Sequence, residues 1–129
     1  MTLIDSSVWI ECWRNAESAT ALKVRELIIN GEACLTGIVL TEILQGARSA
    51  DEMEYLKSIL ADIPRVPLDE ETFVRAAEIT FLLRKKGLRV NTIDTVIAAA
   101  GIINHVDVFT LDEHFRLIQK VSPLNLVEV

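Results

Sequence analysis

Two hydrophobic periods alternate along this chain. Short apolar runs at Thr2 to Asp5, Ala33 to Thr36, Arg65 to Leu68, Val106 to Leu111 and Leu124 to Val127 have the length and the polar boundaries of β-strands. Between them apolar residues recur at three- and four-residue steps, the spacing of a helix with one buried face. That spacing predicts helices at Ser6 to Arg14, Ala19 to Ile29, Val39 to Ala47, Met53 to Leu60, Glu70 to Lys86 and Asn91 to about Asn104, with a short one after Asp112. Gly31, Gly46 and Gly87 each follow a helical stretch, where a left-handed residue closes the last turn. Asn91 or Thr92 is placed to cap its helix, and Ala98-Ala99-Ala100-Gly101 offers a narrow face for close packing.

Strand–helix alternation without linker, repeat or low-complexity stretch predicts an α/β fold. The expected form is a three-layer α/β/α sandwich on a mostly parallel, four- or five-stranded sheet, with residues 1–129 forming one domain. A chain of this length buries roughly two-thirds of its unfolded surface. Half its residues are apolar and 5% aromatic, so the core is aliphatic. The longest apolar run, Val96 to Ile103, is too short to cross a bilayer, and Met1-Thr2-Leu3-Ile4-Asp5 lacks the basic start of a secretory signal. The expectation is a cytoplasmic protein. Cys12 and Cys34 stand apart with no C-x-x-C pairing and read as reduced core thiols. His105 and His114 match no metal-ligand spacing, and neither is assigned chemistry.

Four acids change the picture. Asp5 closes an apolar strand, Glu42 interrupts the apolar stretch Gly37 to Leu44, Asp94 lies inside Val90 to Ile97, and Asp112 follows Val108-Phe109-Thr110-Leu111. A carboxylate among core-type residues must be paired, protonated or bound to a metal. Taken singly, Asp5 and Asp112 read as helix caps and Asp94 as a favourable charge in a first helical turn. Capping does not account for Glu42. In open parallel sheets, ligands bind beyond the carboxyl ends of the strands where strand order reverses. If the strands ending at Asp5 and Asp112 are neighbours there, all four acids reach one crevice. Four carboxylates about 5 Å apart make six repulsive pairs of roughly 3 kcal/mol each, about 20 kcal/mol together, more than a domain's whole stability. Such a crevice retains protons or binds hard cations, and oxygen-only ligands favour one or two Mg²⁺ or Mn²⁺ ions. Ser6, Ser7 and Thr110 stand beside the acids as orienting hydroxyls.

The net charge of −6 argues against a passive nucleic-acid binder. It leaves room for an enzyme whose bound cations offset its acids. Arg84-Lys85-Lys86 with Arg89 is the one concentrated basic patch, readable as a favourable helix end or as a phosphate contact beside the acids. Arg48 is a further candidate for phosphate contact. Trp9 and Trp13, four apart on one helix, read as core or as an aromatic face for a partner.

Four segments in order, Leu3 to Ile10, Thr41 to Ala47, Asp94 to Ala100 and Phe109 to Phe115, resemble the PIN-domain family and its VapC-type toxins of toxin–antitoxin pairs. The resemblance implies a metal-dependent endoribonuclease using Asp5, Glu42, Asp94 and Asp112 as metal ligands and catalytic acids. It also implies a homodimer, an RNA substrate and an inhibitory antitoxin. Two other classes compete: a phosphoacceptor signalling domain, and a non-catalytic PIN-fold partner acting only in an antitoxin or DNA-regulatory complex. The first wants a central strand where Arg65-Val66-Pro67-Leu68-Asp69 stands, and a lysine after the late strand, where Asp112 is found.

Overall fold

The computed structural model describes residues 1–129. Its chain runs through β1 (Thr2–Ile4), α1 (Ser6–Arg14), α2 (Ala19–Ile29), β2 (Ala33–Cys34), α3 (Gly37–Leu44) and α4 (Ala50–Leu60). It continues through α5 (Glu70–Lys85), α6 (Thr92–Ile103), β3 (Asp107–Phe109) and α7 (His114–Gln119).

β1 lies in the middle of a parallel sheet ordered β2-β1-β3, with Thr2 opposite Ala33 on one side and Asp107 on the other. The strand order therefore reverses at β1, and the strands carrying Asp5 and Asp112 are neighbours. The two remaining expected strands shrink to single parallel bridges, Leu35 to Arg65 and Val108 to Leu126, which flank the sheet on its two edges. The reason at Arg65 is local. Leu35 donates to Pro64 O and Val66 donates to Leu35 O; Pro64 has no N–H to extend the ladder backwards, and the next partner forwards, Gly37, already begins α3. At the other edge Val108 donates to Asn125 O and accepts from Val127, after which β3 ends and turns towards the acids.

Helix ends follow their caps. Thr36 accepts from Val39 N and Ser49 from Glu52 N, so α3 and α4 begin at Gly37 and Ala50, earlier than the apolar spacing implies. α2, α5 and α6 each close with a left-handed residue whose successor donates back to the third residue from the helix end. Gly31 (φ 69°) and Gly87 (φ 74°) fill two of these positions. His105 (φ 54°) fills the third, with Val106 N donating to Gly101 O. Gly46 does not have positive φ; there the chain continues from Gln45 in right-handed geometry, contrary to the expected left-handed cap.

One buried cluster of 28 residues draws on all three strands and all seven helices. α6 lies deepest, buried continuously from Asp94 to Gly101. A Cβ at Gly101 would come within 2.7 Å of Val108 Cγ2 and 3.2 Å of Val106 O, so glycine here is what lets α6 reach β3. No helix is long and apolar enough to cross a membrane.

Candidate active site

Beyond the carboxyl ends of β1 and β3, a cleft of about 550 Å³ is lined by Asp5, Glu42, Asp94 and Asp112 together. Each arrives from a different element. Asp5 follows β1 and its amide donates to Phe109 O, which ties it to the neighbouring strand. Its carboxylate is 4% exposed and accepts from Ser7 Oγ and Thr110 Oγ1, each at 2.9 Å. The Asp5 side chain makes no capping bond to α1; its lone pairs point across the cleft to the hydroxyls. Glu42, half-buried in the second turn of α3, accepts from Ser6 Oγ at 3.2 Å. Asp94, in the first turn of α6, is held at both ends by Asn91, whose Nδ2 donates to Asp94 Oδ2 and whose Oδ1 accepts from Asp94 N. Asp112 follows β3, its amide donating to Thr110 Oγ1 and its Oδ1 accepting from His114 N.

The three hydroxyls thus divide between the acids: Ser7 and Thr110 serve Asp5, and Ser6 serves Glu42. Ser7 also accepts from Leu111 N, locking the turn that delivers Asp112. His114, to which the sequence assigned nothing, is drawn in by the tight turn at Asp112. Its Nδ1 lies 3.3 Å from Asp112 Oδ1, and Asp94, Asp112 and His114 each present a ligand atom within 4.8 Å of the others. Only the fold supplies that signal, because His114 reaches the site through an Asx-type turn that residue spacing does not announce.

Electrostatically the cleft is unbalanced. No Lys or Arg lines it, and none forms a salt bridge with any of the four acids. Burial first, then Asp112 and Asp5, push the Asp94 carboxyl from an ordinary 3.8 up to about 6. Burial first, then Asp5, raise Glu42, partly countered by the Ser6 hydroxyl. These carboxyls are held in a place that disfavours their charge. A divalent cation fits such a donor set, since four carboxylates offer hard oxygens and nothing present neutralises them.

The basic patch lies elsewhere. Arg84, Lys85, Lys86 and Arg89 are all exposed at the end of α5 and beyond it, and none lines the acidic cleft. Lys85 Nζ sits 4.8 Å over the Phe81 ring. Arg48 instead lines a groove next to the cleft and pairs with Glu52 at 3.7 Å. Trp9 and Trp13 divide the two readings offered for them: Trp9 is 5% exposed and in the core, Trp13 is 41% exposed. The two cysteines are free, with Cys34 buried and Cys12 half-buried.

The PIN domain model matches residues 2–121. Ribonuclease VapC11 of Mycobacterium tuberculosis and a VapC ribonuclease of Mycobacterium bovis are each 30% identical over 128 residues, covering 96% of this chain and 96% of the relative. Among solved structures, VapBC2 of Rickettsia felis, bound to a DNA fragment from its promoter, superposes with a TM-score of 0.81 at 16% identity, over 98% of this chain and 96% of that one. VapBC-5 of Mycobacterium tuberculosis, from the VapBC family of toxin–antitoxin systems, gives 0.74 at 22% identity over 99% and 98%. With its model matched almost end to end and the acidic cleft where the sheet order reverses, this chain belongs to the PIN domain family, in its VapC branch.

Proposed function

We propose that this chain is a metal-dependent endoribonuclease, that Asp5, Glu42, Asp94 and Asp112 are its catalytic and metal-binding residues, and that it acts as the toxin of a toxin–antitoxin pair. One observation carries the reading: four carboxylates line a single cleft with no cationic side chain among them. The ribonuclease names of its VapC relatives supply the reaction class.

Asp5, fixed by two hydroxyls, would hold a metal together with Asp94, Asp112 and Glu42. Ser6, Ser7 and Thr110 keep these oxygens aimed into the cleft when RNA arrives. One or two Mg²⁺ or Mn²⁺ ions held there would offset the phosphodiester charge and acidify the attacking water. Asp94 or Glu42, whichever stays free of the metal, would take the water's proton. His114 adds a nitrogen donor at the Asp94–Asp112 side, or fixes Asp112 through its ring. The exposed basic cluster of Arg84, Lys85, Lys86 and Arg89 is assigned to more distant RNA phosphates.

The working unit comprises residues 1–129 as one domain in the cytoplasm. A homodimer is supported by the exposed apolar residues Phe73, Val74, Phe81 and Leu82 on α5. A cognate antitoxin is supported by structural neighbours that are VapBC complexes.

The test is cleavage of single-stranded RNA by the purified chain, with Mn²⁺ or Mg²⁺ and with chelator, beside Asp5→Asn. Cutting that needs both the metal and Asp5 is the expected result. Cutting that persists with chelator, or in Asp5→Asn, removes the acidic cleft from the reaction. Growth arrest on induction of the wild-type chain alone, relieved in Asp5→Asn at equal soluble expression, is the expected cellular counterpart.

A further inference from the structure

The acidic cleft opens, past Ile10 and Glu42, into a larger groove of about 780 Å³ walled by α1, α3 and α4. On its walls stand two exposed aromatic rings, Trp13 and Tyr55, and two guanidinium groups, Arg14 and Arg48. We propose that this groove is the track for single-stranded RNA on one side of the scissile phosphate, with bases stacked on Trp13 and Tyr55 and backbone phosphates held by Arg14 and Arg48. The inference rests on the ribonuclease reading and adds to it the place where the strand runs and the side chains that hold it.

Trp13 is built as a platform. Its ring stacks on Trp9, with centroids 6.1 Å apart and planes inclined by 27°. Trp9 is core, so the inner ring is fixed and the outer one loses little freedom when a base lands on it. Tyr55 is 61% exposed on α4 and lines the same groove. Every base has a π-face, so two such rings grip an unpaired strand whatever its sequence; bases paired in a duplex present only their edges.

Charge points the same way. The acidic cleft itself has no basic side chain, so a strand approaching it must find its positive charge alongside. Arg14 and Arg48 supply it on the wall of the adjoining groove. Arg48 is tied only to Glu52, at 3.7 Å with its own side chain 90% exposed, a pairing weak enough to yield to a phosphate. Glu52 and Glu42 also lie on the groove wall, so a phosphate must take Arg48 from Glu52.

The test combines cleavage kinetics in Mn²⁺ with anisotropy binding of a labelled mixed-sequence RNA dodecamer, single-stranded and as a blunt duplex. Trp13→Ala and Tyr55→Ala are expected to raise KM and Kd for the single strand about five- to a hundred-fold each, with kcat kept. Tyr55→Phe should stay close to wild type. Arg14→Gln with Arg48→Gln should lower the slope of log Kd against log salt by about 1.4, the release expected from two single-strand contacts. Circular dichroism melts confirm that each variant folds.

Normal KM, Kd and salt slope in every groove variant, while wild type cuts and Asp5→Asn does not, overturn the track and leave the nuclease standing. Equal loss of affinity for the duplex overturns the assignment to unpaired bases. Variants that keep RNA cleavage but lose binding to a protein partner hand the groove to that partner and overturn the proposal. A wild-type chain that cuts no RNA in Mn²⁺ defeats the ribonuclease reading and the track with it.

Discussion

Replacing Asp94 by Asn changes the charge of the cleft while keeping its shape. Asp94 is 7% exposed, and burial, then Asp112 and Asp5, hold its carboxyl at about 6 instead of 3.8. The sign follows from linkage. A carboxyl raised in the folded state is a destabilising charge: absent while both states are protonated, it grows as pH rises from about 4 to about 6 and is complete above that. At about 1.36 kcal/mol per tenfold change in proton affinity, the ceiling is about 3 kcal/mol. The cleft opens to water, so about 1 to 2 kcal/mol is expected. The Asn variant relieves it, because an amide oxygen still accepts from Asn91 Nδ2. Without metal near neutral pH the variant should therefore melt about 3 to 8 °C above wild type. Wild type should lose stability as pH rises through that window, with a smaller share from Glu42, and the variant should keep only the Glu42 share. Mn²⁺ at about a hundred times its Kd adds about 2.7 kcal/mol to wild type, enough to reverse the order if the variant binds weakly. The assay is thermal melting in chelator-treated buffers across the pH range, repeated with Mn²⁺. A variant that melts at or below wild type throughout, or that keeps the wild-type pH dependence, would refute the electrostatic account.

Other predictions concern the frame and the outlying charges. Gly101→Ala should destabilise by about 1 to 3 kcal/mol in urea titrations, because the added methyl meets Val108 and Val106 where α6 crosses β3. His105→Gly should raise stability by about 0.5 to 1 kcal/mol, since the left-handed position at the end of α6 then carries no Cβ; unchanged or lower stability tells against strain there. Neutralising two of Arg84, Lys85, Lys86 and Arg89 should lower the salt slope of single-stranded RNA binding by about 1.4. An unchanged slope returns that cluster to its place at the end of α5. His114→Ala should weaken Mn²⁺-induced thermal stabilisation more than Mg²⁺-induced, because imidazole suits the softer ion.

Much of this architecture was legible because each acid stood where a strand or helix pattern made it conspicuous. Asp5 and Asp112 end strands, and Glu42 and Asp94 break apolar helical faces, so their convergence needed only the adjacency of β1 and β3. What escaped depended on atoms that pattern does not carry. Pro64, and the start of α3 at Gly37, reduce an expected strand to one bridge. Ser49, by capping, moves the start of α4 into residues that read as a solvated charged run. His114 enters through a turn at Asp112, and the Trp13–Tyr55 groove joins α1 to α4, two elements that sequence spacing cannot place side by side.

The sheet order has a consequence in time. β1 is made first, yet it is the middle strand, and its neighbour β3 is made near the end. Thr110, which holds the Asp5 carboxylate, lies 105 residues beyond it. At synthesis rates of about 5 to 20 residues per second, that separation corresponds to about 5 to 20 s. For most of that interval the growing chain owns at most half a cleft: Asp5 and then Glu42 exist, while Asp94 and Asp112 come late. The acidic cleft is therefore complete only when nearly all of this chain has been made.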